Sequence, residues 1–329
     1  MMKRTLGRTG RDVSVIGLGT WQLGADWGAV DEEQALAVLD AAHGAGVTFF
    51  DTADVYGDGR SEQLIGRWLR ANPDADVTVA TKMGRRVEQV HGNYTLDAFR
   101  AWNDRSRETL GVETLDLVQL HCPPTSVYSD DAVFDALDTL VDEGRIAHYG
   151  VSVETVQEAL TAIARPNVAT VQIIVNAFRL KPIEEVLPVA AEAGVGIIAR
   201  VPLASGLLTG RYTLDTQFAA DDHRNFNRDG SAFDVGETFS GVDYATGVRA
   251  AGEFTELARR AAPEATPAQV ALAWLASRPE ISSIIPGARN PEQARGNAAA
   301  GSLELPAEFD ADVRDLYDRE LREAIHPRW

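Results

Sequence analysis

The 329-residue sequence holds a single cysteine, Cys122, so no internal disulfide can form and no cysteine-based zinc site can be built. Lysine is nearly as scarce. Only Lys3, Lys82 and Lys181 stand among 31 basic residues, against 49 acidic ones of which 27 are aspartate. The net charge of −18 repels phosphate backbones and anionic lipid headgroups, and it excludes nucleic acid and membrane surfaces as partners. No apolar run approaches the roughly 18 residues of a membrane span. The opening MMKRTLGRTG lacks the apolar centre of a signal peptide, so the expected protein is soluble, acidic and cytoplasmic. The aspartate excess fits either a high-salt source or a GC-rich genome.

Hydrophobic residues at 45% and charged residues at 24% are ordinary globular usage. The length suits one large α/β barrel of about 250 residues with additions. A hairpin is predicted at 4–6 and 13–16 around the turn GRTGRD. Short apolar runs then alternate with amphipathic stretches. Strands are predicted at 16–19, 48–51, 77–82, 115–121, 147–152, 170–175, 196–201 and 283–286, and helices at 32–44, 61–70, 96–110, 131–143, 155–163, 183–193, 267–276 and 291–300. The helical stretches place apolar residues three or four apart, as in Phe134, Leu137 and Val141. Eight strands in strict alternation with eight helices predict a closed (β/α)8 TIM barrel, with an open doubly wound sheet as the alternative. Residues 213–247, rich in Asp, Gly and Phe, are too long for a plain connector and read as a lid or flexible excursion over the site. An extra helix at 307–325 closes the chain. No repeat or linker divides it, and residues 1–329 are expected to form one domain.

Active sites of such barrels lie where the strands end. VTFFD ends in Asp51, VTVATK in Lys82 and LDLVQLH in His121, and the loop DTADVYGDG adds Tyr56. A tyrosine phenol titrates near pH 10, too high for an efficient proton donor at neutral pH, and a nearby ammonium would lower it. Asp51 would keep Lys82 charged, Lys82 would lower the Tyr56 pKa, and His121 could polarise a substrate oxygen. The set suits proton donation to a carbonyl oxygen. No flavin signature and no metal-ligating cluster supplies electrons, so a soluble hydride donor is implied. The Gly-containing turns PLASGLLTGR and IPGARNPEQARGN lead into helix starts whose N–H groups can hold phosphates.

These residues are also where the sequence resembles the aldo-keto reductase family over essentially its whole length. The matching segments are GLGTW at 17–21, DTADVYGDGRSEQLIG at 51–66, TK at 81–82, LDLVQLHCPP at 115–124, YGVS at 149–152, PLASGLLTGRY at 202–212 and IPGARNPEQARGN at 285–297. The resemblance implies a (β/α)8 barrel, reduction of an aldehyde or ketone by NADPH, and a catalytic tetrad of Asp51, Tyr56, Lys82 and His121. NADP(H) is the implied cofactor, with NAD(H) as the alternative. Its contacts are carried over to Thr20, Trp21 and Asp51 on the early loops, and to Ser152 and Gln172 at the carboxamide. The pyrophosphate strap matches Pro202, Leu203, Ala204 and Ser205 with Arg211, and the adenosine and 2′-phosphate end matches Gly287, Arg289, Gln293 and Asn297. Three positions depart from the family pattern. Val153 follows Ser152 where many members have Asn or Arg. Arg200 stands where an aromatic side chain usually stacks on the nicotinamide, and its planar guanidinium could stack instead. Gly287 replaces a Lys or Arg near the 2′-phosphate, leaving Arg289 as the basic contact.

The expected partner is a small aldehyde, ketone or sugar-like molecule, and self-association is neither required nor excluded. Trp21, Trp27, Met83, Cys122, Tyr128 and Trp329 are candidates for the pocket lining. Some relatives of the family serve as cofactor-sensing subunits of potassium channels and commonly carry Asn at the position of His121; the intact tetrad favours an enzyme. A metal-dependent barrel hydrolase or isomerase would need more clustered carboxylates and histidines than Asp51 and His121 provide. One consequence of the charge is measurable. Self-repulsion among −18 charges is screened as the Debye length falls from about 10 Å at 0.1 M salt to about 3 Å at 1 M, so the melting temperature should rise with KCl. A melting temperature that stays flat into molar KCl, read by calorimetry, would assign the aspartate excess to genome composition.

Overall fold

A computed structural model describes residues 1–24, 31–220 and 222–329. The chain opens with an antiparallel hairpin, β1 (Lys3–Thr5) and β2 (Asp12–Ser14), paired through Arg4 and Val13. Eight parallel strands follow: β3 (Leu18–Gly19), β4 (Phe49–Asp51), β5 (Thr78–Met83), β6 (Leu115–His121), β7 (Ile146–Ser152), β8 (Val168–Ile174), β9 (Gly196–Arg200) and β10 (Ile281–Ile284). Each pairs with the next in sequence order. The ring closes between its ends, where Gly17 N donates to Ile284 O at 2.7 Å, Ile284 N to Val15 O at 2.9 Å and Gly19 N to Pro286 O at 3.0 Å. The fold is the (β/α)8 barrel that the alternation predicted, not the open sheet.

The strand period of two decides what the barrel encloses. Phe49, Ala80, Leu117, Ile198 and Ile285 point inward, and with Leu6 and Val13 of the hairpin region they form a small apolar plug. The intervening residues Phe50, Val79, Val118 and Ile197 point outward into the larger core beneath the helices. Two residues beyond Phe49, Ala80, Leu117 and Ile198, on the same face, stand Asp51, Lys82, Gln119 and Arg200. The apolar floor and the polar layer above it are thus consequences of one alternation.

The helices begin where side chains cap them. Asp31, Thr95, Asp130, Thr155, Thr266 and Asn290 each accept a hydrogen bond from a backbone N–H of the first turn, and Thr155 with Glu158 and Thr266 with Gln269 complete capping boxes. Three expectations are corrected. The helix expected at 183–193 is two short helices, Lys181–Glu185 and Leu187–Ala193, because Pro188 has no N–H for the preceding turn. An 18-residue helix, Tyr244–Ala261, was not foreseen; capped by Asp243, it cuts short the excursion expected to run to 247 and packs beside Phe309–Glu320. The single extra helix expected at 307–325 is Phe309–Glu320 followed, after a break at Leu321, by Arg322–Ile325. No described helix is long and apolar enough to cross a membrane.

Close strand packing makes one glycine indispensable. A Cβ on Gly150 of β7 would lie 2.1 Å from Thr170 Oγ1 and 2.6 Å from Thr170 O of β8. Gly150→Ala should cost about 1–3 kcal/mol by overpacking, lowering the melting temperature by about 2 °C per kcal/mol. Gly252, exposed in the middle of the Tyr244–Ala261 helix with nothing within 4 Å of an added Cβ, is the control. Gly252→Ala should stabilise by about 0.5–1 kcal/mol. Thermal denaturation of both variants checks the opposite signs.

Candidate functional site

The inward-facing polar layer converges on Asp51. Its Oδ1 accepts from Lys82 Nζ at 2.5 Å, and its Oδ2 accepts from Gln172 Nε2 at 2.7 Å and Gln119 Nε2 at 3.2 Å. Lys82 donates further to Thr52 O at 2.9 Å and to the Tyr56 hydroxyl at 3.3 Å. Tyr56 lies between Trp21, stacked at 6.0 Å between ring centroids, and His121, edge-on at 6.0 Å. Burial works against the charge on Lys82, but the Asp51 carboxylate outweighs it and raises the ammonium pKa above its ordinary value. Burial, helped by the charges of Arg85, Lys82 and Arg200, holds His121 well below the ordinary histidine range, so its imidazole is neutral. Burial also raises the Tyr56 phenol. Lys82 pulls it down, as expected from the sequence, but desolvation together with the Asp51 and Glu237 carboxylates outweighs that pull. The phenol therefore holds its proton at neutral pH, beside an ammonium that can stabilise the phenolate.

This cluster lies at one end of a cavity of about 1120 Å³. Near the cluster its wall is Trp21, Val55, Arg85, Ser152, Gln172 and Arg200. It continues along Pro202–Arg211 to Gly287, Arg289, Gln293 and Asn297 beside the start of the Pro291–Ala299 helix. The volume exceeds the usual 300–1,000 Å³ of a small-molecule pocket, so an extended ligand and a second small molecule both fit.

The profile of the Aldo/keto reductase family matches residues 15–318. The chain belongs to that family. Among similar proteins, the aldo-keto reductase str7 of Strobilurus tenacellus is 35% identical over 317 residues, covering 92% of this chain and 89% of its own. The solved structure of a glycerol dehydrogenase, AKR11B4, from Gluconobacter oxydans is 28% identical with a TM-score of 0.77, covering 97% of this chain and 96% of its own. An aldo/keto reductase of Klebsiella pneumoniae, solved in complex with NADP and acetate, shares the fold at a TM-score of 0.72 and 24% identity, over 96% of both chains. This aldo/keto reductase is accordingly an oxidoreductase of a family that uses nicotinamide cofactors.

In this reductase, Thr20, Trp21, Asp51, Tyr56, His121, Ser152, Gln172, Arg200, Pro202, Leu203, Ser205, Arg211, Gly287, Arg289, Gln293 and Asn297 line the one cavity. Lys82 sits beneath its floor, and Ala204 is fully buried in the strap and does not reach it. Several expected ligand contacts have protein partners. Thr20 Oγ1 donates to Asp51 O at 2.9 Å, both Gln172 Nε2 hydrogens go to Asp51 and Gln119, and Ser205 Oγ donates to Glu237 O at 2.7 Å. Arg200 pairs with Glu237 and donates to Val153 O at 2.9 Å. Gln293 accepts from Arg289 N at 2.8 Å, and Asn297 donates to Gly287 O at 3.1 Å. Gly287 carries no side chain where Gln22 already occupies the space, 2.1 Å from an added Cβ.

Of the expected pocket lining, Trp21 is in place and Trp27 lies outside the described residues. Met83 faces Asn103, Tyr128 donates to Ser152 O, Cys122 is buried, and Trp329 stacks on Arg179; none of the four lines the cavity. Their places are taken by residues not singled out from the sequence: Arg85, His223, Phe233 and Glu237. The last three belong to the 213–247 excursion, whose place beside the site was legible although its inward side chains, with no periodicity, were not. His223 and Phe233 pack on Trp21 with ring centroids 5.4 and 6.0 Å away.

Proposed function

We propose that this chain catalyses the reversible NADPH-dependent reduction of an aldehyde or ketone to an alcohol, with Tyr56 as the proton donor. The observation that carries the reading is the unbroken line from Asp51 through Lys82 to the Tyr56 hydroxyl, with neutral His121 edge-on to the phenol at the end of a large cavity. The residues present fit a dinucleotide: Ser152 and the Gln172 oxygen stand near the proposed reacting end, while Arg211 and Arg289 supply cations further along the same cavity. A bound nicotinamide supplies the hydride. The carbonyl oxygen then lies within reach of Tyr56 and His121. As negative charge grows on that oxygen the phenol gives up its proton, and the Lys82 ammonium, held charged by Asp51, stabilises the phenolate left behind. His121, neutral, can donate one N–H to the same oxygen without competing as an acid. Trp21, His223 and Phe233 exclude water from the reacting end.

Tyr56→Phe should lower kcat by about 10² to 10⁴-fold, the usual worth of general acid catalysis, while NADPH still binds. Steady-state turnover with dinucleotide titration checks both, and near-normal turnover would remove Tyr56 as the acid. At the other end, the Arg289 guanidinium can fork onto a 2′-phosphate. Arg289→Ala should weaken NADPH by about 10 to 150-fold and NADH far less. Fluorescence titration of both dinucleotides decides it; equal losses, or a wild-type preference for NADH, would overturn the assignment.

A further inference from the structure

The cavity carries a cation that the proposed reduction leaves without a task. β5 ends at Met83, and Gly84 turns the chain at φ +104° against the Tyr94 ring, where an added Cβ would lie 3.0 Å from it. This turn sets Arg85 on the cavity wall with its side chain 25% exposed. Its contact with Glu154, just past the end of β7, carries the guanidinium from the end of β5 across the end of β6, where His121 stands.

The neighbouring arginines are occupied. Arg86 pairs with Asp58 and donates to Asp54 O at 2.9 Å, Arg200 is held by Glu237 and Val153 O, and Arg224 pairs with Asp222. Arg85 has five N–H donors and, among the described residues, one hydrogen bond, from Nη2 to Glu154 Oε1 at 3.4 Å. That contact is at the long limit of a hydrogen bond. Burial, with Asp234 nearby, raises the Glu154 carboxyl against the pull of Arg200 and Arg85.

We propose that Arg85 is a specificity-determining residue that takes the carboxylate of an oxo acid whose carbonyl lies between Tyr56 and His121. The proposal rests on the reduction argued above and deepens it from any carbonyl to a short aliphatic oxo acid. The planar guanidinium matches a carboxylate through two parallel N–H···O bonds, a geometry that the single long contact to Glu154 does not use. A substrate anion would displace that contact and take two N–H donors at once, whereas an uncharged carbonyl would leave it as it is.

The test compares 4-oxobutanoate with its uncharged counterpart of similar shape, 4-methylpentanal, at saturating NADPH. Wild type should favour the oxo acid at least tenfold in kcat/KM. Arg85→Gln should lower that preference by about 10 to 150-fold, chiefly through KM for the acid, and Arg85→Lys, which keeps the charge without the fork, should restore part of it. A wild-type preference near one, or a preference unchanged in Arg85→Gln, overturns the proposal. Calorimetric binding of succinate to the NADP-loaded protein reads the same contact without turnover. Binding at least tenfold weaker in Arg85→Gln supports it; equal binding in the two proteins, or none to wild type, overturns it. Failure of both aldehydes to oxidise NADPH would instead overturn the reductase reading, and the succinate result would then judge Arg85 by itself.

Discussion

The Asp51–Lys82 ion pair is 2% and 1% exposed, and two charges so far from water persist only when their remaining hydrogen-bonding capacity is met. Desolvation costs several kcal/mol per ion, more than a lone contact offsets. Here the second carboxylate oxygen takes amide hydrogens from Gln172 and Gln119, and the ammonium reaches Thr52 O and the Tyr56 hydroxyl. The satisfied pair therefore ties β4, β5, β6 and β8 and the loop carrying Tyr56 into one arrangement. Neither charge can be removed alone without stranding the other, and the phenol owes its place to an ammonium that itself depends on Asp51. The arrangement at the Tyr56 end of the cavity is thus constrained by electrostatics as much as by packing.

The barrel itself was legible because its two periods are strong. Phe49 and Asp51, Ala80 and Lys82, Leu117 with Gln119 and His121 each share a strand face, so reading one apolar residue inward brings the ionisable one with it. What escaped the sequence has physical reasons too. The Arg200–Glu237 pair joins a barrel strand to a lid turn across an irregular segment that carries no period. The Tyr244–Ala261 helix starts inside a polar stretch, and its N-terminal signal, Asp243 before Tyr244, is one aspartate among several. The net rise of the Tyr56 pKa depends on how much water reaches the phenol, which the motif does not encode. Likewise, residue type at Ser205 and Gln172 says nothing of whether their hydrogens go to a ligand or, as here, to Glu237 O and Asp51.

Charge is distributed unevenly over the molecule. The cavity wall holds Arg85, Arg200, Arg211, Arg224 and Arg289 against Asp51, Glu237 and Glu292, on a chain whose net charge is −18. An approaching anion feels the net charge only within about 8 Å of the surface at physiological ionic strength, and there it is repelled. Once inside, a guanidinium at about 4 Å offers up to about 4 kcal/mol at an effective dielectric of about 20. At that range the attraction exceeds the screened long-range field, so the cavity wall can favour an anion that the acidic surface repels. Lysine is scarce in the chain, and arginine supplies the cations of this wall. A mouth lined by aspartate would add its own repulsion to that of the surface, and no contact further in could compensate for an anion kept outside.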